Sequence, residues 1–239
     1  MSISKIEWTD ATWNPVTGCY GPSGSAAHPR ICGYCYAYRM ARRLQGRSGY
    51  PPAPDFFKPT LHPDRMEQPL RWRKPRMVFV CSMADLFGAW VPDTWIEQVL
   101  EVVRATPQHT YQFLTKWPQR LARWNPFPTN AWVGASATNI QMLVNTIVAL
   151  TKIEASVRFI SAEPWLGRRT DSVRMKMIDW LIIGQQTGPG AKKIDTASVD
   201  ALIAAARWDA VPIFIKPPLA YRDGYAGIEE YPTTTWRAP

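Results

Sequence analysis

The sequence predicts an α/β fold, a partial or irregular (β/α) barrel of the TIM type with parallel strands, built as a single domain over residues 1–239. Three observations carry that expectation. Short β-branched apolar runs recur along the chain, segments with helical spacing separate them, and nearly every run ends in polar residues, glycine or proline. From the second run onward, starts recur about every 20 to 35 residues, the length of a βα unit.

The strand candidates are ATWNPVTG (11–18), RMVFVCS (76–82), TYQFLTK (110–116), AWVGASA (131–137), VRFISAE (157–163), WLIIGQQ (180–186) and VPIFIK (211–216). Continuous apolar character, without polar alternation, is what strands buried on both faces require. Helices must then cover the outside. PDTWIEQVLEVVRAT (92–106), WPQRLARW (117–124), ATNIQMLVNTIVALTKI (137–153), SVRMKMIDW (172–180) and DTASVDALIAAARW (195–208) supply them. Pro92 and Asp93 ahead of apolar residues at helical spacing mark the first N-terminus. Residues 46–75 are proline-rich without a clean period and read as an excursion over the barrel, a candidate substrate lid. Residues 220–239 are irregular too, and their Tyr, Trp and Pro residues point to a packed strap.

With 239 residues, 46% hydrophobic and 20% charged, the chain is long enough to bury a large core. No apolar stretch reaches the roughly 20 residues that span a bilayer, and MSISKIEWTD lacks the pattern of a secretory leader, so a cytoplasmic location is expected. The formal charge of +9 favours an anionic partner, nucleic acid or a phosphorylated substrate. Several of the 12 tryptophans lie beside Arg or Lys, as in RWRKPR and AARW. Such pairs stack bases in some proteins and anchor cores in most. No Walker A loop, GxSxG elbow or HExxH helix is present, which argues against the common hydrolases.

Three of the four cysteines, Cys19, Cys32 and Cys35, lie in TGCYGPSGSAAHPRICGYCYAYRMARR. Structural zinc and most iron–sulfur sites close with four ligands, so a group of three leaves one metal position open to chemistry. Zinc is the alternative: His28 or Cys81 would complete a tetrahedron, and the chain would be a zinc-stabilised nucleic-acid-binding module without catalysis. Cys81, ending VFVC, otherwise reads as a buried small hydrophobe. His62 and His109 have no metal-ligand spacing and read as surface residues. The helix after the cysteines carries Arg39, Arg42, Arg43 and Arg47, as a solvated face or a nucleic-acid contact.

In parallel barrels the reactive groups gather where strands finish. Here those ends carry Thr17 and Cys19, Ser82 and Asp85, Thr115 and Lys116, Ser136 and Asn139, Glu163, Gly184 with Gln185 and Gln186, and Lys216. Asp85 and Asn139 are also at home as helix caps. Lys116 and Lys216 each end an apolar strand, where a charge is costly without an anionic partner.

These features together resemble the radical S-adenosylmethionine (SAM) superfamily, more closely a phage-associated radical SAM-like family of unassigned reaction, and distantly spore photoproduct lyase. WTDATWNPVTGC (8–19), CGYCYA (32–37), SMADLFGAWVP (82–92), FLTKWPQR (113–120), WVGASATN (132–139), ISAEPWLG (160–167), WLIIGQQTGPGA (180–191) and FIKPP (214–218) carry the likeness over nearly the whole chain. The resemblance implies a [4Fe–4S] cluster on Cys19, Cys32 and Cys35, with SAM chelating the open iron. An electron from the cluster would break the sulfonium C–S bond, and the resulting 5′-deoxyadenosyl radical would abstract hydrogen from a nucleic-acid base or nucleotide. The reductant would be external and flavodoxin- or ferredoxin-like.

The likeness further implies Tyr34 near the SAM adenine, Ser82 and Asp85 at the methionine amino group, and Lys116 at its carboxylate. Ser136, Asn139 and Glu163 would contact the ribose, Gly184 would admit backbone to the adenine, and Lys216 would bind substrate or carboxylate. Two stretches depart from the superfamily pattern. Twelve residues, YGPSGSAAHPRI, replace the usual three between the first two cysteines, and GQQTGPGAKK lacks an acidic residue after its glycines. Gly, Ser and Pro permit the longer segment to loop out.

Overall fold

The computed structural model describes residues 4, 6–168, 173–222 and 224–233. Its strands are β1 (Ala11–Trp13), β2 (Val16–Thr17), β3 (Thr60–Leu61), β4 (Met77–Val80), β5 (Thr110–Thr115), β6 (Ala131–Ser136), β7 (Val157–Ala162), β8 (Trp180–Ile183) and β9 (Ile213–Ile215). The α-helices are α1 (Tyr36–Leu44), α2 (Pro63–Met66), α3 (Asp93–Ala105), α4 (Ile140–Leu150) and α5 (Thr196–Trp208). Seven strands, β1 and β4 through β9, are parallel and ordered as they occur in the chain. Sequential parallel strands with helices in most of the connections are the topology of an incomplete (β/α) barrel, the fold class expected from the sequence.

The chain divides into two compact units. One comprises the described residues through Arg120 with Pro128–Ala131; the other comprises Leu121–Phe127 and the described residues from Trp132 onward. In the first, β1 pairs with β4 and β4 with β5, in registers Thr12↔Phe79 and Phe79↔Gln112. Helix α3 buries Ile96, Val99, Leu100 and Val103, one face at 3.6-residue spacing. Its C-terminal carbonyls would be orphaned. The Asn130 amide takes up one of them, donating to the Val103 carbonyl at 3.0 Å, and donates also to Thr106 at the C-cap and His109 beyond it at 3.2 and 3.1 Å.

The expected excursion is packed at several points within this unit. Leu61 and Thr60 pair antiparallel with Val16 and Thr17, Phe57 is buried, and the Trp13 indole donates to the Arg65 carbonyl at 2.8 Å. His62 and His109, expected at the surface, are both buried. Long-range partners account for that: His62 Nε2 lies 2.7 Å from Thr17 Oγ1, and His109 Nε2 lies 3.3 Å from the Pro69 carbonyl.

In the second unit, β6 is buried at every position, and Phe159 pairs in register with Trp180. Trp132 and Phe214 pack on the Trp180 ring as well. The irregular tail runs beside β9: Ile215 N donates to the Ile228 carbonyl, Glu230 N donates to the Ile213 carbonyl, and Tyr231 stacks on Trp180 at 5.5 Å. Residues 234–239 of the expected strap lie outside the described residues.

Two expected helices differ. Pro118–Trp124 is a 3₁₀ helix, whose start is tied down where the Trp117 amide donates to Thr115 Oγ1. Residues 173–179 form turns instead of the helix expected over 172–180, of which Ser172 lies outside the described residues. There Asp209 takes the Met175 amide at 2.6 Å and the Arg174 guanidinium at 2.7 Å. Those bonds offer the backbone a partner other than a helical carbonyl. Among the described residues, no helix is long and apolar enough to cross a membrane.

His62 makes the fold acid-sensitive. Burial first, and Arg65 second, depress its imidazole from the ordinary 6.5 to about 4, against a smaller opposing effect of Asp64. A folded-state value below the unfolded one means full stability above about pH 6.5, lost progressively as pH falls toward 4. The urea midpoint should fall across that window, and His62→Gln should flatten the fall there while lowering stability at pH 7.5.

Candidate functional site

In the first unit Cys19 lies just beyond the end of β2, and Cys32 and Cys35 lie in the segment that leads into α1. Leaving β2, the chain reaches Gly18, whose φ of +86° suits glycine, and whose Cβ, if present, would lie 2.3 Å from the Lys58 carbonyl oxygen. Only glycine allows so close a crossing with that backbone. Gly18 N donates to the Met83 carbonyl and Cys19 N to the Phe57 carbonyl. The twelve-residue segment then loops out and closes on itself. Arg30 N donates to the Tyr20 carbonyl at 2.7 Å across the neck, and Gly24 N to the Gly21 carbonyl within the loop. A Cβ on Gly21 would fall 1.8 Å from the Arg30 carbonyl oxygen. The neck therefore returns the chain beside Cys19 just before Cys32, as in a compact Ω-loop.

Cys32 and Cys35 bracket a turn in which Cys35 N donates to the Cys32 carbonyl at 2.9 Å. Cys35 is then the N-cap of α1, its Sγ accepting from Tyr38 N at 3.3 Å. Cys19 Sγ accepts from Gly21 N at 3.2 Å. Cys19 and Cys35 both pack against one apolar cluster of Ala37, Ala41, Tyr50, Phe57 and Met83. Burial pushes the Cys19 thiol up to about 12, with Asp85 and then the other two cysteines adding to the rise. Burial raises Cys35 too, while the Tyr38 and Ala37 amides and Lys116 pull the other way. Tyr34 lies beside Cys32, and burial followed by Cys32 raises its phenol.

At the next strand ends, Asp85 is buried. Its Oδ1 accepts from Thr115 Oγ1 at 2.6 Å and its Oδ2 from Lys116 N at 2.8 Å. Burial raises its pKa, and those bonds partly offset the rise. The carboxylate thus ties the turn after β4 to the end of β5. Ser82 Oγ donates to Asn14 Oδ1 at 3.2 Å, Met83 N donates to the same oxygen at 3.0 Å, and the Tyr36 hydroxyl donates to the Ser82 carbonyl. Asn14 was not among the expected site residues, although an Asn before Pro at a strand end is a recognisable turn former. Also unanticipated are the rings of Tyr20, Trp90 and Trp117, which follow one another edge to face at 5.6 Å each.

In the second unit, Glu163, Gly184 and Lys216 follow β7, β8 and β9. Lys216 Nζ donates to Glu163 Oε1 and Oε2 at 2.8 and 3.0 Å, so the costly strand-end charge has its anion within the chain. A Cβ on Gly184 would lie 2.9 Å from Glu163 Cγ, so this glycine clears space for the Glu163 side chain. Asn139 caps α4, its Oδ1 accepting from Met142 N at 3.0 Å. Ser136 is buried and in register with Ser161.

Three thiols in one electrostatic neighbourhood are a donor set of the type that iron–sulfur clusters take, one short of the usual four. Among the described residues, no group of three or more His, Cys, Asp or Glu is drawn together closely enough to hold a metal ion. His28 is exposed and Cys81 is buried, its thiol raised by burial to about 12.

Because the neck and the Gly18 crossing position the thiols, Gly18→Ala should lose about 2–4 kcal/mol from positive-φ strain and overpacking. Gly33→Ala, with nothing within 4 Å of its Cβ, should change stability by less than about 1 kcal/mol. Urea denaturation at pH 7.5 measures both.

Comparisons with known proteins follow this geometry. No curated protein matches the chain. Among solved structures, a cysteine-to-alanine mutant of spore photoproduct lyase with dinucleoside spore photoproduct is similar at 14% identity and a TM-score of 0.48, over 77% of this chain. The chain spans 57% of the length of that protein. The family described as "Protein of unknown function (DUF5131)" matches residues 3–223, and the chain belongs to that family.

Proposed function

We propose that the chain is a radical SAM enzyme that holds a [4Fe–4S] cluster on Cys19, Cys32 and Cys35 and acts on a nucleic-acid base or nucleotide. The observation that carries this reading is the closed neck at Tyr20 and Arg30, which brings the distant Cys19 beside the CxxC turn. Burial favours the neutral thiols at Cys19 and Cys35, and the Gly21 and Tyr38 amides at their sulfurs, the N-terminus of α1 and the charge of Lys116 work the other way, toward anionic sulfur. Bound together, the cluster and SAM would supply reductive cleavage of SAM and hydrogen abstraction, with the electron coming from an external flavodoxin- or ferredoxin-like protein.

The chain's own residues bind, orient and exclude water. The apolar cluster beneath Cys19 and Cys35 shields two of the three sulfurs. Asp85 braces the two strand ends that present Ser82 and Lys116, and Lys116 is proposed as the carboxylate contact for SAM. Tyr34, beside Cys32, is proposed as a wall for the adenine. The nucleic-acid substrate class rests on the net charge of +9.

Electron paramagnetic resonance of the anaerobically reconstituted, dithionite-reduced protein tests the reading. The expected result is a reduced [4Fe–4S] signal that changes on adding SAM, with Cys32→Ala losing most of the bound iron. A colourless protein that binds zinc and gives no signal would overturn it and leave the zinc module.

A further inference from the structure

We propose that the exposed face of α1 is the docking surface for a single-stranded nucleic acid, presented beside the three-thiol loop. The inference rests on the nucleic-acid substrate class given above and names the surface that takes it.

Between Asp10 and Asp55 the chain holds five arginines and no acidic residue. Four of the five, Arg39, Arg42, Arg43 and Arg47, lie on α1 or just after it, and all four are exposed. Among the described residues, no carboxylate pairs with any of them. Elsewhere in the chain arginines do find acids, as Arg120 does with Asp93 and Arg158 with Asp179. The stretch from Arg39 to Arg47 thus carries four positive charges with no carboxylate set against them.

Helical geometry sorts that element into two faces. Ala37 and Ala41 are buried against the apolar cluster. At about 100° per residue, Arg42, Arg39, Arg43, Tyr36 and Met40 fall in that order on a continuous arc of about 160°. Tyr36 is 52% and Met40 42% exposed. The Tyr36 hydroxyl is fixed on the Ser82 carbonyl, which holds its ring in place while leaving half of it open. Arginines beside a fixed aromatic face match a phosphate backbone with splayed bases, the chemistry of a single strand. A membrane surface would need an apolar face turned outward, whereas the apolar face of α1 is spent on the core. Because Cys35 caps the helix, a strand bound along this face passes next to the thiol loop.

Arginines in a last helical turn also complement the helix dipole, a structural role that salt-dependent binding separates from docking. The test uses the full chain and a fluorescein-labelled single-stranded oligonucleotide, with anisotropy recorded across a salt series. The parent should bind with an affinity that falls steeply with salt. Arg39→Gln, Arg42→Gln and Arg43→Gln combined should weaken low-salt binding at least about tenfold and flatten the log–log salt slope by about 2, near 0.7 for each lost phosphate contact. Arg104→Gln, at the equally exposed end of α3, should change neither. If the triple variant does not fold by circular dichroism, Arg39→Gln and Arg43→Gln alone should each flatten the slope by about 0.7.

An unchanged slope in the folded variants, an equal loss in the Arg104 variant, or no binding by the parent would overturn the proposal. So would displacement of the oligonucleotide by polyglutamate or by phosphatidylserine vesicles at equal charge concentration. The two readings fail separately: a missing cluster signal with binding retained removes the radical chemistry alone, and a cluster signal without binding removes the docking surface alone.

Discussion

The hydrogen bond from Arg30 N to the Tyr20 carbonyl is the constraint that sets the path of the chain between Cys19 and Cys32 in the first unit. It closes a twelve-residue loop at its base, and the cost of closure grows only slowly with loop length. What it needs locally is severe. Gly18 must cross against the Lys58 carbonyl, and Gly21 against the Arg30 carbonyl; a side chain at either position would occupy space the backbone already fills. With both crossings made, Cys19 packs against the same apolar cluster as Cys35.

A second constraint holds the surrounding strand ends. Asp85 is buried and accepts from a hydroxyl and an amide of β5's last turn, so it trades the loss of water for two short bonds. Removing its partners would leave an uncompensated carboxylate, the costlier half of any such arrangement. Asn14 does comparable work one strand away by accepting from both Ser82 and Met83.

Much of the fold was legible because local pattern and burial agree. β6 reads AWVGAS and is buried throughout; α3 shows its buried face at helical spacing behind a proline. Local pattern failed where a distant partner decided. Residues 173–179 follow Asp209 rather than their own spacing, and His62 is buried by Thr17, 45 positions earlier. The same holds at the site. The cysteines, Asp85 and Lys116 stand out by type and position, and Cys19, Asp85 and Lys116 follow β2, β4 and β5 in the structure. Asn14, the Tyr20, Trp90 and Trp117 rings, and the service Gly184 gives to Glu163 depend on contacts between strand ends, which spacing does not encode.

The closed neck separates contour length from distance. Its tip, from Pro22 to Pro29, is satisfied within the loop by Ser25 and His28 and is largely exposed, so residues there can be gained or lost without moving the thiols. A search pattern that counts positions between cysteines measures contour. What the sulfurs experience is the width of the neck, two backbone strands joined by one hydrogen bond, and chains with very different counts can share it.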